Sequence, residues 1–295
     1  DVEMPNLDGL GLVRRIRSEL VMVQFPHAYD EEYELEQAAA SVRAVQKHGV
    51  ATICDPTIPG LGRDARFIEK VIGETGIQVI LGTGLYTFNE IPLRFQSRDV
   101  DYLAEFFVRD IEVGIQNTSV KAGFLKCVTD ENGVTPDIEK TIRAVARAHL
   151  KTGVPIMTHS HPLSGMGLRQ LDILEEEGVK PENVLIGHSG DTDNLDYLLR
   201  LLDRGAYIGM DRYGITRTVT VEQRNATVVE LVKRGYADRM FLSQDYCCTN
   251  PEFYKSEEVW NSYYAKWSMT YIFDEGIPAL KENGVTDEHL QTMMV

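Results

Sequence analysis

The feature that most constrains this chain is an alternation that begins near residue 34 and runs to about residue 275. A helical stretch with apolar residues three and four apart is followed by a short β-branched run ending in small or polar residues, and the unit then repeats. Seven such runs read as strands, over residues 51–55, 77–83, 122–126, 154–159, 184–188, 206–211 and 240–245. Most lie downstream of a glycine placed to end a helix: Gly49, Gly153, Gly178, Gly205 and Gly235. A glycine there adopts the left-handed conformation that stops a helix, and a basic residue just before it suits the negative helix end. No long Pro/Gly/Ser-rich linker breaks the series, so residues 34–275 read as one domain.

Strict alternation of this kind implies a mostly parallel sheet, either doubly wound or closed into a barrel. Two observations favour the barrel. No Gly-x-Gly-x-x-Gly turn follows the first strand, which removes the usual dinucleotide fold. The polar residues closing one strand after another are also ones that can do chemistry: Asp55, Lys126, His159, His188, Asp211 and Asp245. In a (β/α)8 barrel the C-terminal strand ends converge on one mouth, so these residues would meet there. The expected fold class is therefore α/β, a (β/α)8 TIM-type barrel, and 295 residues is an ordinary length for one.

Charge and cysteine content narrow the partners. With 45 acidic and 30 basic residues the formal net charge is -15, which repels nucleic acid and anionic membrane surfaces and favours a neutral substrate over a polyanionic one. The four cysteines, Cys54, Cys127, Cys247 and Cys248, form no Cys-x-x-Cys pair, as expected of a reduced, cytoplasmic protein. No apolar run approaches the roughly 20 residues that span a bilayer, and no signal-peptide pattern opens the sequence.

Two strand-end histidines and a strand-end carboxylate offer nitrogen and oxygen ligands suited to zinc, manganese, iron or cobalt. One such histidine is more often a hydrogen-bonded structural residue; three ligand types at equivalent positions of one barrel reverse that balance. Lys126 is the outlier. A strand-end lysine usually snorkels to solvent, and an ammonium facing metal ligands is repelled by the cation. The position makes sense if the amine has reacted with carbon dioxide to give a carbamate, which is anionic and can bridge two cations.

Residues from about 20 to 290 resemble the phosphotriesterase family of the amidohydrolase superfamily, and within it the phosphotriesterase-like lactonases. The motifs are Asp55-Pro-Thr-x-x-Gly-Leu-Gly62, Thr83-Gly-Leu-Tyr86, Lys121-Ala-Gly-Phe-Leu-Lys126, Thr158-His159, Ile186-Gly-His-Ser-Gly-Asp-Thr-Asp193, Gly209-Met-Asp-Arg-Tyr-Gly214 and Ser243-Gln-Asp-Tyr-Cys-Cys248. The resemblance implies a binuclear divalent metal centre, zinc first, with Lys126 as the bridging carbamate. It makes His159 and His188 ligands of the more exposed metal. Asp245 would bind the other metal and accept a proton from the bridging hydroxide. Asp191 and Arg212 stand where the family places a polar relay leading away from that aspartate. Tyr86 looks like the lactonase tyrosine that contacts the ring, although an aromatic packed at the barrel rim is the plain alternative. The loop at about 249–265, with Trp260, Tyr263 and Tyr264, would cover the site and set acyl-chain preference, or those aromatics could form an interface. The implied activity is hydrolysis of small-molecule lactones such as acyl-homoserine lactones, with promiscuous action on organophosphate esters; a homodimer is expected separately, because a lost first strand would leave two sheet edges to cover. A dedicated phosphotriesterase or aryl esterase is the runner-up.

The remaining histidines carry plainer expectations: His48 and His149 near helix C-termini, His289 in the tail, and His161 in a loop beside the site. The family's first strand carries a His-x-His pair for the more buried metal, and no such pair stands upstream of residue 34, where His27 is alone. Residues 1–20 instead resemble a fragment of a response-regulator receiver domain, with Asp1 at the phosphoacceptor position. About twenty residues cannot build a receiver, so residues 1–20 read as a foreign segment and residues 21–295 as the barrel, its first strand missing or replaced. On this reading one metal keeps Lys126, His159 and His188, while the other keeps only Lys126 and Asp245. A catalytically impaired barrel acting as a binding protein is the corresponding alternative.

Overall fold

The computed structural model of the protein describes residues 30–247 and 261–294. The expectations for residues 1–20 and His27, including a missing or replaced first strand, lie outside these residues, as do those for Cys248 and Trp260. Within them, seven strands appear where the alternation predicts: β1 (Thr52–Asp55), β2 (Gln78–Gly84), β3 (Ala122–Val128), β4 (Ile156–His159), β5 (Val184–Ile186), β6 (Tyr207–Met210) and β7 (Met240–Leu242). They form one sheet in chain order, every neighbouring pair parallel, and among the described residues no β7–β1 pairing closes it.

The connecting helices start where the sequence supplies an oxygen for the first free N–H groups. Asp30 caps α1 (Glu31–Gln46), Asp64 caps α2 (Ala65–Thr75) and Asp99 caps α3 (Val100–Glu112). Thr135 caps α4 (Pro136–Thr152), with Pro136 at the position where its missing N–H costs nothing. Further on, α5 (Met166–Glu176) precedes β5, Asn194 caps α6 (Leu195–Asp203), and Thr220 with Gln223 makes a reciprocal capping box on α7 (Val221–Lys233). The glycines stop helices as expected. Gly153 takes φ 77° and donates to the His149 carbonyl at 2.7 Å, and Gly49, Gly178, Gly205 and Gly235 also lie at positive φ.

Strand parity sorts the side chains into two layers. On β3, Leu125 and Cys127 pack with Ile138, Ile142 and Val145 of α4 in the main core. Lys126, between them in sequence, points to the opposite face. The sheet must curl to bring that face together. Flat strands about 4.8 Å apart would put β1 and β7 roughly 29 Å from each other. Yet the charge of Lys126 acts on both Asp55 at the end of β1 and Asp245 beyond β7. This is the arrangement of a TIM-type barrel, with helices outside and strand ends gathered inside. No helix of the described residues is long and apolar enough to cross a membrane.

Outside, one ion network straps three helices together. Arg143 of α4 donates to Glu139, Glu176 and Glu177, and Arg147 donates to Glu177 and to Asp101 of α3. Burial pushes the Glu177 carboxyl up, but the bonds from Arg147 and Arg143 outweigh it and hold it below the usual carboxylate range. A depressed folded-state pKa means stabilisation that is complete above the unfolded value, about 4.3, and lost as pH falls through the folded one. Glu177→Gln should therefore cost about 1 kcal/mol at neutral pH, with urea-unfolding stabilities of variant and parent drawing closer as the pH falls below the unfolded value. A difference that stays constant as the pH is lowered would contradict this account.

Candidate active site

The strand ladder between β4 and β5 stops at Met157 and Leu185, short of both histidines. Side chains take over beyond that point. Ser160 Oγ donates to the Gly187 carbonyl at 2.8 Å, and Gly187 N donates to Thr158 Oγ1 at 3.3 Å. Gln170 of α5 and the Thr129 backbone N–H both donate to the His159 carbonyl, at 2.8 and 2.9 Å. The two imidazoles are thereby held edge to face, ring centroids 4.4 Å apart, and both are buried.

His188 is not inside a strand as the sequence suggests. It follows β5 in the left-handed conformation, φ 61°, and Asp245 follows β7 at φ 50°. Leaving the strand turns each side chain into the mouth. Asp211, just past β6, grips His188: its two carboxylate oxygens accept from the His188 backbone N–H at 3.0 Å, and Oδ1 lies 3.0 Å from Nδ1. Burial pushes the Asp211 carboxyl up, but His188, its hydrogen bonds and the Arg212 charge hold it well below the ordinary range. Asp245 Oδ2 lies 3.9 Å from His188 Nδ1. Its carboxyl is likewise lowered: burial opposes, and His188, Arg212 and Lys126 together outweigh burial and the Asp211 charge.

Arg212 and Asp191 extend this cluster outward. Arg212 Nε donates to Asp245 Oδ2 at 3.1 Å, and its Nη1 donates to Asp191 Oδ2 at 2.7 Å. The other oxygen of Asp191 accepts from Arg224 Nη2 at 3.0 Å. On the opposite side, the Tyr86 hydroxyl stands 3.1 Å from His159 Nδ1, two strands away, with Phe88 also against that ring. Lys126 is buried within β3, two residues before its end. Gly84, beside it, has φ 145°, and a Cβ there would lie 1.9 Å from the Lys126 carbonyl oxygen, so only glycine lets β2 approach β3 so closely.

The structure therefore brings Lys126, His159, His188, Asp245, Asp191, Arg212 and Tyr86 to one mouth, which opens into a cavity of about 290 Å³. Its apolar wall includes Leu163, Ile215, Tyr264 and Trp267, and Asp130 and Glu131 line the acidic side. His161 also lines it, from a loop, with Nδ1 2.9 Å from Ser164 Oγ. His48 stacks on Phe273, His149 bonds the Val154 carbonyl, and His289 caps its own turn, all away from the mouth. Tyr264 is buried and lines the cavity, whereas Tyr263 is exposed. Sequence reading gave no role to Asp211, Arg224, Gln170 or Trp267. Only Asp211 carried a signal, its strand-end position.

The sequence matches the phosphotriesterase family over residues 15–295. The chain belongs to this family. It is 47% identical to an aryldialkylphosphatase of Saccharolobus solfataricus, over 95% of this chain and 89% of that one. It is 42% identical to a phosphotriesterase homology protein of Mycobacterium tuberculosis, over 92% and 85%. The solved structure of the phosphotriesterase from Mycobacterium tuberculosis superposes with a TM-score of 0.89 at 41% identity, covering 94% of this chain and 88% of that one. A phosphotriesterase-family chain with such relatives is a hydrolase, and the similarity spans the whole curled sheet.

The stitching between the histidine-bearing ends is open to direct test. A Cβ on Gly187 would lie 2.1 Å from the Thr158 carbonyl oxygen. Gly187→Ala should force β4 and β5 apart at their ends and lower stability by about 1–3 kcal/mol in urea unfolding; an unchanged midpoint would show that the two ends are not held as described.

Proposed function

We propose that this protein hydrolyses lactones, acyl-homoserine lactones among them, and acts more weakly on organophosphate triesters. The reading uses a divalent transition metal, zinc first, held by His159, His188 and Lys126 as its carbamate, with Asp245 beside it. Among the described residues no three His, Cys, Asp or Glu side chains gather closely enough to hold an ion by themselves. In this reading Lys126 is the further donor, and a lysine donates as an anion only once carboxylated. The rest of the donor set fits: two imidazoles in edge contact, an ionised carboxylate, and a carboxylate on His188 Nδ1 that fixes the tautomer of that ring. When bound, such an ion lowers the pKa of water and polarises the carbonyl under attack.

The chain's own groups account for the other requirements. Asp245, ionised and tethered by Arg212, takes up the proton released as water attacks, and the Arg212–Asp191 pair holds the carboxylate in place. The observation that carries the lactone reading is the Tyr86 hydroxyl 3.1 Å from His159 Nδ1, a phenol beside one of the rings that would hold the metal. The apolar wall with Tyr264 and Trp267 suits an acyl chain. The chain's strong negative charge suits a neutral substrate. A dedicated phosphotriesterase is the second reading, favoured by the similarity to the Saccharolobus aryldialkylphosphatase.

Steady-state rates on an acyl-homoserine lactone and on a dialkyl aryl phosphate separate the two: kcat/KM should be higher on the lactone, and the opposite order would favour the second reading. After reconstitution with zinc and bicarbonate, about one metal per chain is expected, from the three-donor set. His188→Ala should lose the metal and turnover together. Turnover that survives in His188→Ala would place the chemistry elsewhere.

A further inference from the structure

Among the described residues Arg224 is the largest fully buried side chain, 1% exposed, yet it rises from the first turn of α7 rather than from a strand end. Its three nitrogens are all engaged. Nε donates to the Gly190 carbonyl, Nη1 to the Ile215 carbonyl and Nη2 to Asp191 Oδ1, each at 3.0 Å, and the guanidinium lies over the Tyr213 ring. These partners lie on two loops, the one after β5 that carries His188 and Asp191 and the one after β6 that carries Arg212. Gln223, in the capping box of the same helix, donates to Asp193 at 3.1 Å and ties the first turn of α7 to the first of those loops.

We propose that Arg224 is a positioning residue for the hydrolysis proposed above, acting through Asp191 on Arg212 and through Arg212 on Asp245. The four side chains form an unbroken row of alternating charge, Arg224–Asp191–Arg212–Asp245, each link a direct hydrogen bond. With one guanidinium partner, an aspartate carboxylate can turn about its last bond and exchange oxygens. A second guanidinium on the other oxygen removes that freedom. Asp191 is thus locked at both oxygens, and Arg212 is left one arrangement in which Nη1 meets Asp191 while Nε meets Asp245. Charge counting agrees. Two carboxylates and two guanidiniums balance within the row, whereas without Arg224 the buried Asp191 and the half-buried Asp245 would share a single cation. Lysine keeps the charge, but its three N–H donors leave a single nitrogen and cannot span the three acceptors that Nε, Nη1 and Nη2 reach.

The structural arm of the test does not depend on turnover. In arginine-labelled protein, the Arg212 Nε–H resonance, assigned by its loss in Arg212→Lys, should shift and exchange faster with solvent in Arg224→Lys, in Arg224→Met and in Asp191→Asn. Arg63→Lys is the control: Arg63 is 7% exposed and paired with Asp110 at 2.8 Å far from this row, so it breaks a buried ion pair of similar build. It should leave the resonance in place. In the kinetic arm, kcat on a lactone per bound zinc should fall about tenfold in Arg224→Lys with KM changed less than about twofold. Asp191→Asn should fall similarly, and the double variant no further than either alone. An Arg212 resonance unmoved in the Arg224 and Asp191 variants, or losses that multiply in the double variant, would overturn the proposal. If the parent protein turns over no lactone, the hydrolysis reading fails and the resonance alone decides the link from Arg224 to Arg212. Should the Arg224 variants not fold, Asp191→Asn still decides it from the other side of the same bond.

Discussion

Everything at the mouth depends on one constraint, the pairing of seven parallel strands in strict chain order. Parallel neighbours in sequence order must each be joined by a crossover, so every strand enters at one rim and leaves at the other. Residues separated by more than a hundred positions then share a rim without any specific attraction between them. Curling does the rest. Tyr86 reaches His159 across the intervening β3, and Lys126 feels carboxylates that end β1 and follow β7. The helices are exchangeable in this respect so long as each returns the chain to the starting rim, which is why their caps and stop glycines matter more than their surface residues.

Gathering so many ionisable groups in a buried place brings an electrostatic cost, and the structure offsets it by pairing rather than by exposure. Asp211 is spent on His188, Asp245 on Arg212, and Asp191 on two guanidiniums. Asp211 and Asp245 stay ionised for the same reason: hydrogen bonds and neighbouring cations outweigh burial. Asp55 is the contrast. Burial pushes its carboxyl up, and the Thr57 bonds with the charge of Lys126 do not reverse it. The carboxylates kept anionic are those that follow β6 and β7, on the side where the histidines and arginines stand.

The sequence made the strands and their closing residues legible because both are local signals. A β-branched run followed by a polar residue needs no tertiary knowledge to be noticed, and neither does a glycine after a basic helix end. What stayed hidden arises from packing. Arg224 sits in the first turn of a helix, where an arginine is ordinarily solvated, and nothing local marks its burial. Gln170 and Ser160 act only because their partners, the carbonyls of His159 and Gly187, lie on other strands. Trp267 follows a stretch already rich in aromatics, so its place in the cavity wall does not stand out. The sequence also drew three strands too long, carrying them through His188, Asp211 and Asp245, because the residues' chemistry made them look like strand ends.

That overextension bears on how the site is held. Lys126 and His159 lie within regular strands, so the ladder positions them. His188 and Asp245 lie beyond the ladder and adopt left-handed backbone, a conformation unfavourable for a side chain with a Cβ and of order 1 kcal/mol or more each. Such strain persists only where surrounding contacts over-determine it. Those contacts are two separate sets of polar bonds: Asp211 bonded to both the backbone and the ring of His188, and Arg212 bonded to Asp245. The same bonds thus keep the carboxylates charged and hold two backbones in a shape they would not choose. Loosening these bonds would leave the strand-held pair in place and the loop-held pair free to relax. The site is accordingly built in two halves, one fixed by hydrogen bonds of the sheet and one by buried charge.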